Sequence, residues 1–208
     1  SLNIFLVFPD DVPGTFFSGT FSDHAVLQRA PQVAAVNGVV IGATTGTKVS
    51  VTVAPADALT ARAHAAYTVD ATVDPVPKTT ASGGYARWKA LLKPQPAGGN
   101  FTVTAACTGG CSAPANTSTL HDVTFGDVWV CSGQSNMWLP MHMDTSRNTT
   151  YDAVLSGKYR NIRMWSVPHN NQPEGGYNGT DLDILPPPPP RNAWGGDAGG
   201  GWLLADVG

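Results

Sequence analysis

Between residues 15 and 125 apolar and polar positions alternate in short runs of period two. Lys48-Val49-Ser50-Val51-Thr52-Val53 places Val at every second position. That is the pattern of a strand with one face buried and one face wet. Phe101-Thr102-Val103-Thr104-Ala105 repeats it, and Tyr85 to Leu92 alternates aromatic or apolar with basic residues. Ala25 to Leu27, Gln32 to Ile41, His64 to Val73 and Leu120 to Phe125 add further short strand signals. Gly42 to Gly46 and Pro94 to Gly99 supply turn clusters between them. Short strands separated by Gly/Pro turns, without helical periodicity, predict an antiparallel β-sandwich-like domain over residues 15–122. Residues 1–14, closing on Pro9-Asp10-Asp11-Val12-Pro13-Gly14, read as an irregular leader. No internal repeat of about 20 to 50 residues is visible.

The pattern changes at Phe125. Val128-Trp129-Val130-Cys131 is an unbroken apolar run, which predicts a strand buried on both faces, as in a parallel sheet. Cys131 is then expected to be a buried packing residue. A polar turn, Ser132-Gly133-Gln134, follows, and Ser135 stands where a helix could begin. Two readings of Ser135 are open. It could be an N-cap, since Ser accepts from the free N–H groups of a first turn. It could equally be a nucleophile, because those N–H groups and the helix dipole favour a negative oxygen. The segment is not the Gly-x-Ser-x-Gly elbow, since Met137 occupies the second Gly position.

Residues 123–208 read differently from the first part. Tyr151 to Tyr159 is a helical candidate and Ile162 to Val167 a strand, so strand, helix, strand predicts the opening of an α/β layer structure. Asn170 to Gly201 is rich in Gly and carries Pro186 to Pro190, which favour polyproline II geometry. Trp202-Leu203-Leu204 is a last apolar patch.

Composition narrows the function classes. The chain has 208 residues, 42% of them hydrophobic, and only 13% are charged. Net charge is −3, with no basic cluster, which argues against nucleic acid or an anionic membrane surface as partner. No apolar run approaches the ~18 residues of a membrane span. Leu2 to Phe8 is too short for a complete signal peptide, and the first residue is Ser, so a removed upstream segment is expected. Asn-x-Ser/Thr triplets at Asn100, Asn116, Asn148 and Asn178 lean toward a secreted or lysosomal route. Cys107 and Cys111 either close a small disulfide loop or stand as two surface thiols. Their spacing, with no His or Cys nearby, is poor for zinc.

The segment Gly126-Asp127-Val128-Trp129-Val130-Cys131-Ser132-Gly133-Gln134-Ser135-Asn136-Met137 resembles the first catalytic block of the sialate O-acetylesterase family, within the SGNH (GDSL-like) hydrolases. Phe21-Ser22-Asp23-His24-Ala25-Val26-Leu27-Gln28-Arg29 is similar to that family's opening segment, and Asn161 to Val167 to its second catalytic-domain strand. The resemblance spans roughly residues 15 to 170. It implies an N-terminal β-rich domain followed by the start of a three-layer α/β domain in residues 123–208. It also implies Ser135 as nucleophile and backbone oxyanion donor, with Gln134 and Asn136 lining the site. O-acetylated sialic acid or a related sugar would be the substrate, and no metal or cofactor would be required.

The family's base is a His a few residues after an Asp, far downstream. His24, His64, His121, His142 and His169 all lack an Asp three residues before them. His24 and His121 adjoin Asp23 and Asp122, but neighbours in a strand point to opposite faces, so these read as turn or surface residues. Ala193-Trp194-Gly195-Gly196 resembles the family's later oxyanion loop only superficially. The 208 residues are therefore expected to be inactive alone, with a missing C-terminal segment packing on residues 123–208. The rival function class is a non-catalytic sugar-binding β-module, with Trp88, Tyr85 and Tyr67 as stacking candidates.

Overall fold

The computed structural model describes residues 14–75, 78–80, 83–111, 117–131, 133, 145–159, 161–165 and 202–204. The chain divides into two compact units, Ser1–Asp127 and Val128–Gly208.

The first unit is built from two facing sheets. One has the order β1 (Gly14–Phe17), β3 (Ala35–Ile41), β8 (Gly83–Leu91), β6 (Thr72–Val73), with β7 (Lys78–Thr80) also pairing β8. The other has the order β2 (Val26–Gln28), β10 (Thr117–Gly126), β9 (Gly98–Cys111), β4 (Ala43–Pro55), β5 (Tyr67–Asp70). All pairings are antiparallel except β2 with β10, which is parallel.

The alternation in the sequence explains the inner faces. Val49, Val51 and Val53 of β4 and Phe101, Val103 and Ala105 of β9 are buried, while Ser50, Thr52, Thr102 and Thr104 between them are not. Val51 sits opposite Ala105 and Val53 opposite Val103, so the buried sets coincide across the ladder. Each such Val or Phe removed from water is worth about 1.5–3 kcal/mol.

In the first sheet a large-to-small match does the same work. Gly38 of β3 lies between Phe17 of β1 and Trp88 of β8 in register. The two rings meet edge to face at 5.4 Å between centroids. A Cβ on Gly38 would lie 1.8 Å from the Phe16 carbonyl oxygen and 2.7 Å from Trp88 Cζ2. Glycine is therefore required here by close approach.

Strand β3 passes to the opposite sheet through Gly42 alone, which has φ 82° and donates its N–H to the Gly84 carbonyl. The predicted turn at Gly42 to Gly46 thus lies mostly inside the long strand β4, where pairing with β9 shifts register between Ala43 and Val49. The bend is a bulge rather than a loop. Three elements have no counterpart in the expected pattern, the short strand β7 among them. Strand β1 begins at Gly14, at the edge of the leader. Helix α1 (Ala58–Ala63) is too short to show a helical period; Asp57 caps it by accepting from the Thr60 N–H at 2.7 Å.

In the second unit the described residues form helix α2 (Arg147–Leu155) and strand β11 (Arg163–Trp165), the latter paired antiparallel with β12 (Trp202–Leu204). Helix and strand fall near the expected positions. The apolar patch at Trp202 becomes a strand by pairing with Arg163–Trp165. Val154 is the buried apolar side chain of this unit among the described residues. The α/β layer arrangement is not among them.

The run Val128-Trp129-Val130-Cys131 corrects an expectation. It is not part of a strand, and Trp129 and Val130 are 84% and 90% exposed. Cys131, expected to be buried, is an exposed free thiol. The physical reason is that apolar sequence alone does not make a strand; a neighbouring ladder must take its backbone groups. Strand β10 ends at Gly126 and its partner β2 at Gln28, and no described strand runs beside residues 128–131.

Candidate functional site

The family-like opening segment runs beside residues 121–127, which lead into the family-like block, at a constant offset of 98 residues. Val26, Leu27 and Gln28 pair in parallel with Thr124, Phe125 and Gly126. The same offset continues beyond both ends of the strand pair. Asp23 Oδ1 accepts from the His121 N–H at 2.7 Å, and His24 Nδ1 meets Asp122 Oδ2 at 2.7 Å. At the far end Arg29 Nε donates to Asp127 Oδ1 at 2.8 Å, while the Arg29 N–H donates to the Gly126 carbonyl at 3.0 Å. Complementary groups thus meet at one register over seven residues.

Local sequence explains the upper clasp. Leu120, Val123 and Phe125 all point into the core, although Leu120 and Val123 are three apart. A bulge absorbs the odd residue, and the β10–β9 register shifts there. Asp122 takes φ 51° in this bulge and His24 takes φ 67° opposite it; they are the non-glycine residues with left-handed φ among those described. Such conformations are costly for L-residues and persist where surrounding bonds hold them. Here the His24–Asp122 side-chain bond and the His24 N–H to the His121 carbonyl, 2.9 Å, supply that hold.

The lower clasp is a solvent-facing ion pair. The hydrogen bond to Asp127, and then its charge, raise the Arg29 guanidinium above its ordinary value. The pair marks the last residue of the first unit, directly before Val128 and eight positions ahead of Ser135 by number.

The chemistry expected after this point falls mostly outside the described residues. Ser135, Gln134 and Asn136 lie there, as do His142, His169, Asn116, Asn178 and Ala193–Gly196. Gly133, two positions before Ser135, is exposed. Cys107 and Cys111 form a disulfide. Asn100 is half-buried at the start of β9 and Asn148 is exposed on α2.

The remaining candidates sort themselves by burial. Trp88 is 2% exposed, so it is core and offers no stacking face. Tyr85 is half-buried in β8. Tyr67 is half-buried on the edge strand β5, with Lys93 Nζ 5.1 Å from its ring centroid. Burial pushes the Tyr67 phenol up, against hydrogen bonds with Gln95 and the Lys93 carbonyl. His64 is fixed by Gln95 at 3.1 Å and by the edge of Phe101. No group of three or more His, Cys, Asp or Glu among the described residues is placed to hold a metal. Nor is any helix among them long and apolar enough to cross a membrane.

The clasp joins residues distant in the chain, so it does not show between an Asp and the His beside it. A cross-comparison would have found it: Asp23, His24 and Arg29 have the same internal spacing as His121, Asp122 and Asp127.

No protein-family model matches the chain. Among curated proteins, it is 40% identical over 80 residues to the sialate O-acetylesterase of Mus musculus. It is 37% identical over 89 residues to that of Rattus norvegicus, and 40% over 80 residues to that of Homo sapiens. This stretch is homologous to the sialate O-acetylesterases. The matches cover 38–43% of this chain and 14–16% of the length of each sialate O-acetylesterase. The relation is thus to a carbohydrate esterase, and it is partial.

Proposed function

We propose that this chain contributes the β-rich domain and the nucleophile segment of a sialate O-acetylesterase-like carboxylic ester hydrolase. The observation that carries the reading is the Gly126–Met137 segment together with the 37–40% identity to curated sialate O-acetylesterases. Ser135 attacks the acetyl carbonyl of an O-acetylated sialic acid or related sugar. The sugar hydroxyl leaves, and water then hydrolyses the acetyl-enzyme. The Ser135 backbone N–H holds part of the oxyanion, an interaction worth on the order of 3 kcal/mol per donor. Gln134 and Asn136 line the same site.

A serine hydroxyl needs a base oriented by a carboxylate. No His of these 208 residues follows an Asp by three positions. In this reading the base comes from further polypeptide packed on residues 123–208. The exposed apolar side chains of Trp129 and Val130 support the same view, since large apolar groups in water favour a partner surface. The 208 residues alone are accordingly expected to be catalytically incomplete. A secreted or lysosomal location is part of the proposal, and the Cys107–Cys111 disulfide supports it.

The test is p-nitrophenyl acetate hydrolysis and organophosphonate labelling of the complete natural polypeptide, with Ser135→Ala as control. Labelling at Ser135, absent from the variant, is expected. Labelling at any other residue overturns the assignment. The rival reading, a sugar-binding module, loses its largest aromatic candidate because Trp88 is core.

A further inference from the structure

The sequon at Asn148 and the sequon at Asn100 are alike as text and differ in the fold. Asn148 is the second residue of α2, and Thr145, Ser146 and Thr149 around it are exposed with it. The helix turn there is fixed by exposed groups: Thr149 Oγ1 donates to the Ser146 carbonyl at 2.9 Å, and Ser146 Oγ lies 3.3 Å from Thr150 Oγ1. Nothing in this local set covers the Asn148 side chain.

The backbone of Asn100 is held on both sides. Its N–H donates to Thr60 Oγ1 at 2.9 Å and its carbonyl accepts from the Ala56 N–H at 2.8 Å, which ties it to the start and flank of α1. Its side-chain Oδ1 is sealed from solvent and has no hydrogen-bond partner among the described residues. The middle residue of the sequon, Phe101, is 1% exposed in the core and packs against Phe125 and His64. The Asn100 side chain is thus half-buried, with its amide oxygen turned into the fold and its sequon neighbour packed in the core.

We infer that Asn148 is an N-glycan attachment site and that Asn100 stays unmodified. The required compartment is the oxidising one in which disulfides form, and Cys107 and Cys111 are bonded. In the transfer, Asn148 Nδ2 bonds to the anomeric carbon of an oligosaccharide carried on a lipid pyrophosphate. The anomeric carbon–oxygen bond breaks, the lipid pyrophosphate leaves, and Nδ2 gives up one proton. A neutral amide is replaced by a bulky hydrated group on a helix face that is already wet. This inference does not depend on the esterase reading.

The experiment is secretion of the protein from a eukaryotic cell behind a signal peptide. The product is then deglycosylated enzymatically in heavy-oxygen water and peptide-mapped. Asn148 is expected as heavy-oxygen-labelled Asp, and Asn100 as unlabelled Asn. Asn148→Gln and Thr150→Ala each lower the intact mass by one glycan, while Thr150→Ser retains it. Recovery of Asn148 as unmodified Asn, or of Asn100 as labelled Asp, overturns the proposal.

Discussion

His24 Nδ1 lies 2.7 Å from Asp122 Oδ2, and these two residues, 98 apart in sequence, both hold left-handed backbone angles. The hydrogen bond and the unusual backbone are one arrangement. A bulge in β10 lets Leu120 and Val123 share the core, swings Asp122 out of the ladder, and leaves its carboxylate facing the turn that precedes β2. The opening segment is thereby locked to the end of the β-domain at its upper margin, as Arg29 and Asp127 lock it at the lower one.

Strain and bond at His24 are separable. His24→Ala and His24→Gly both lose the contact with Asp122, but only glycine adopts φ 67° without cost. The Gly variant is expected to be more stable than the Ala variant by about 1 kcal/mol in urea unfolding. Equal stability of the two would show that the backbone angle carries no strain.

Gly38 admits no side chain. A methyl group there would collide with the Phe16 carbonyl and the Trp88 indole, and backbone cannot step aside as a flexible side chain can. Gly38→Ala is expected to cost about 3 kcal/mol or more, read as a lowered denaturation midpoint with Trp88 fluorescence shifted toward that of the unfolded chain. A midpoint within error of the parent would contradict the packing described.

Asp57 makes the stability of α1 depend on acid. The Thr60 N–H, the largest influence, holds the Asp57 carboxyl below its ordinary value of 3.8. A depressed folded pKa means that stabilisation is present above the ordinary carboxylate range and is lost as pH falls through the depressed value. The parent is therefore expected to be more stable than Asp57→Ala near neutrality, with the two curves converging in acid once the pH has fallen through the depressed value. A difference that persists unchanged into acid would exclude the cap as its source.

The thiols give a direct count. Cys107 and Cys111 are bonded and Cys131 is free and exposed. Ellman's reagent is expected to titrate one thiol in the native protein and none in Cys131→Ser. Replacing Cys107 and Cys111 by Ser should lower stability by about 2 kcal/mol, the loop-closure value for so short a loop. A native titre of three thiols would mean the disulfide is not formed.

The strands carrying Val at alternate positions were legible because the inner face of a two-sheet structure repeats every second residue. Val49, Val51 and Val53 are the plain case. The alternation says which residues face inward, not which strand lies alongside. Hence the parallel union of Val26–Gln28 with Thr124–Gly126 was hidden, and with it the pairing of each Asp with a residue of the other segment. Helix α1 was invisible because six residues cannot display a helical period. Val128 to Cys131 misled for the opposite reason. Its composition suits a buried strand, but burial belongs to the neighbours, and none of the described strands provides it. Of the candidate site, Cys107 and Cys111 appear as a bonded pair, while Ser135, Gln134 and Asn136 lie outside the described residues.

Strand β1 ends one sheet and β2 ends the other, so a single stretch from Gly14 to Gln28 hems both. Recombinant versions that begin after Ala30 would bare the backbone of β3 and β10 together. Raw ladders of that kind recruit whatever extended peptide is at hand, most often a sister molecule. Insoluble or domain-exchanged material is the foreseeable outcome of cloning from such a start.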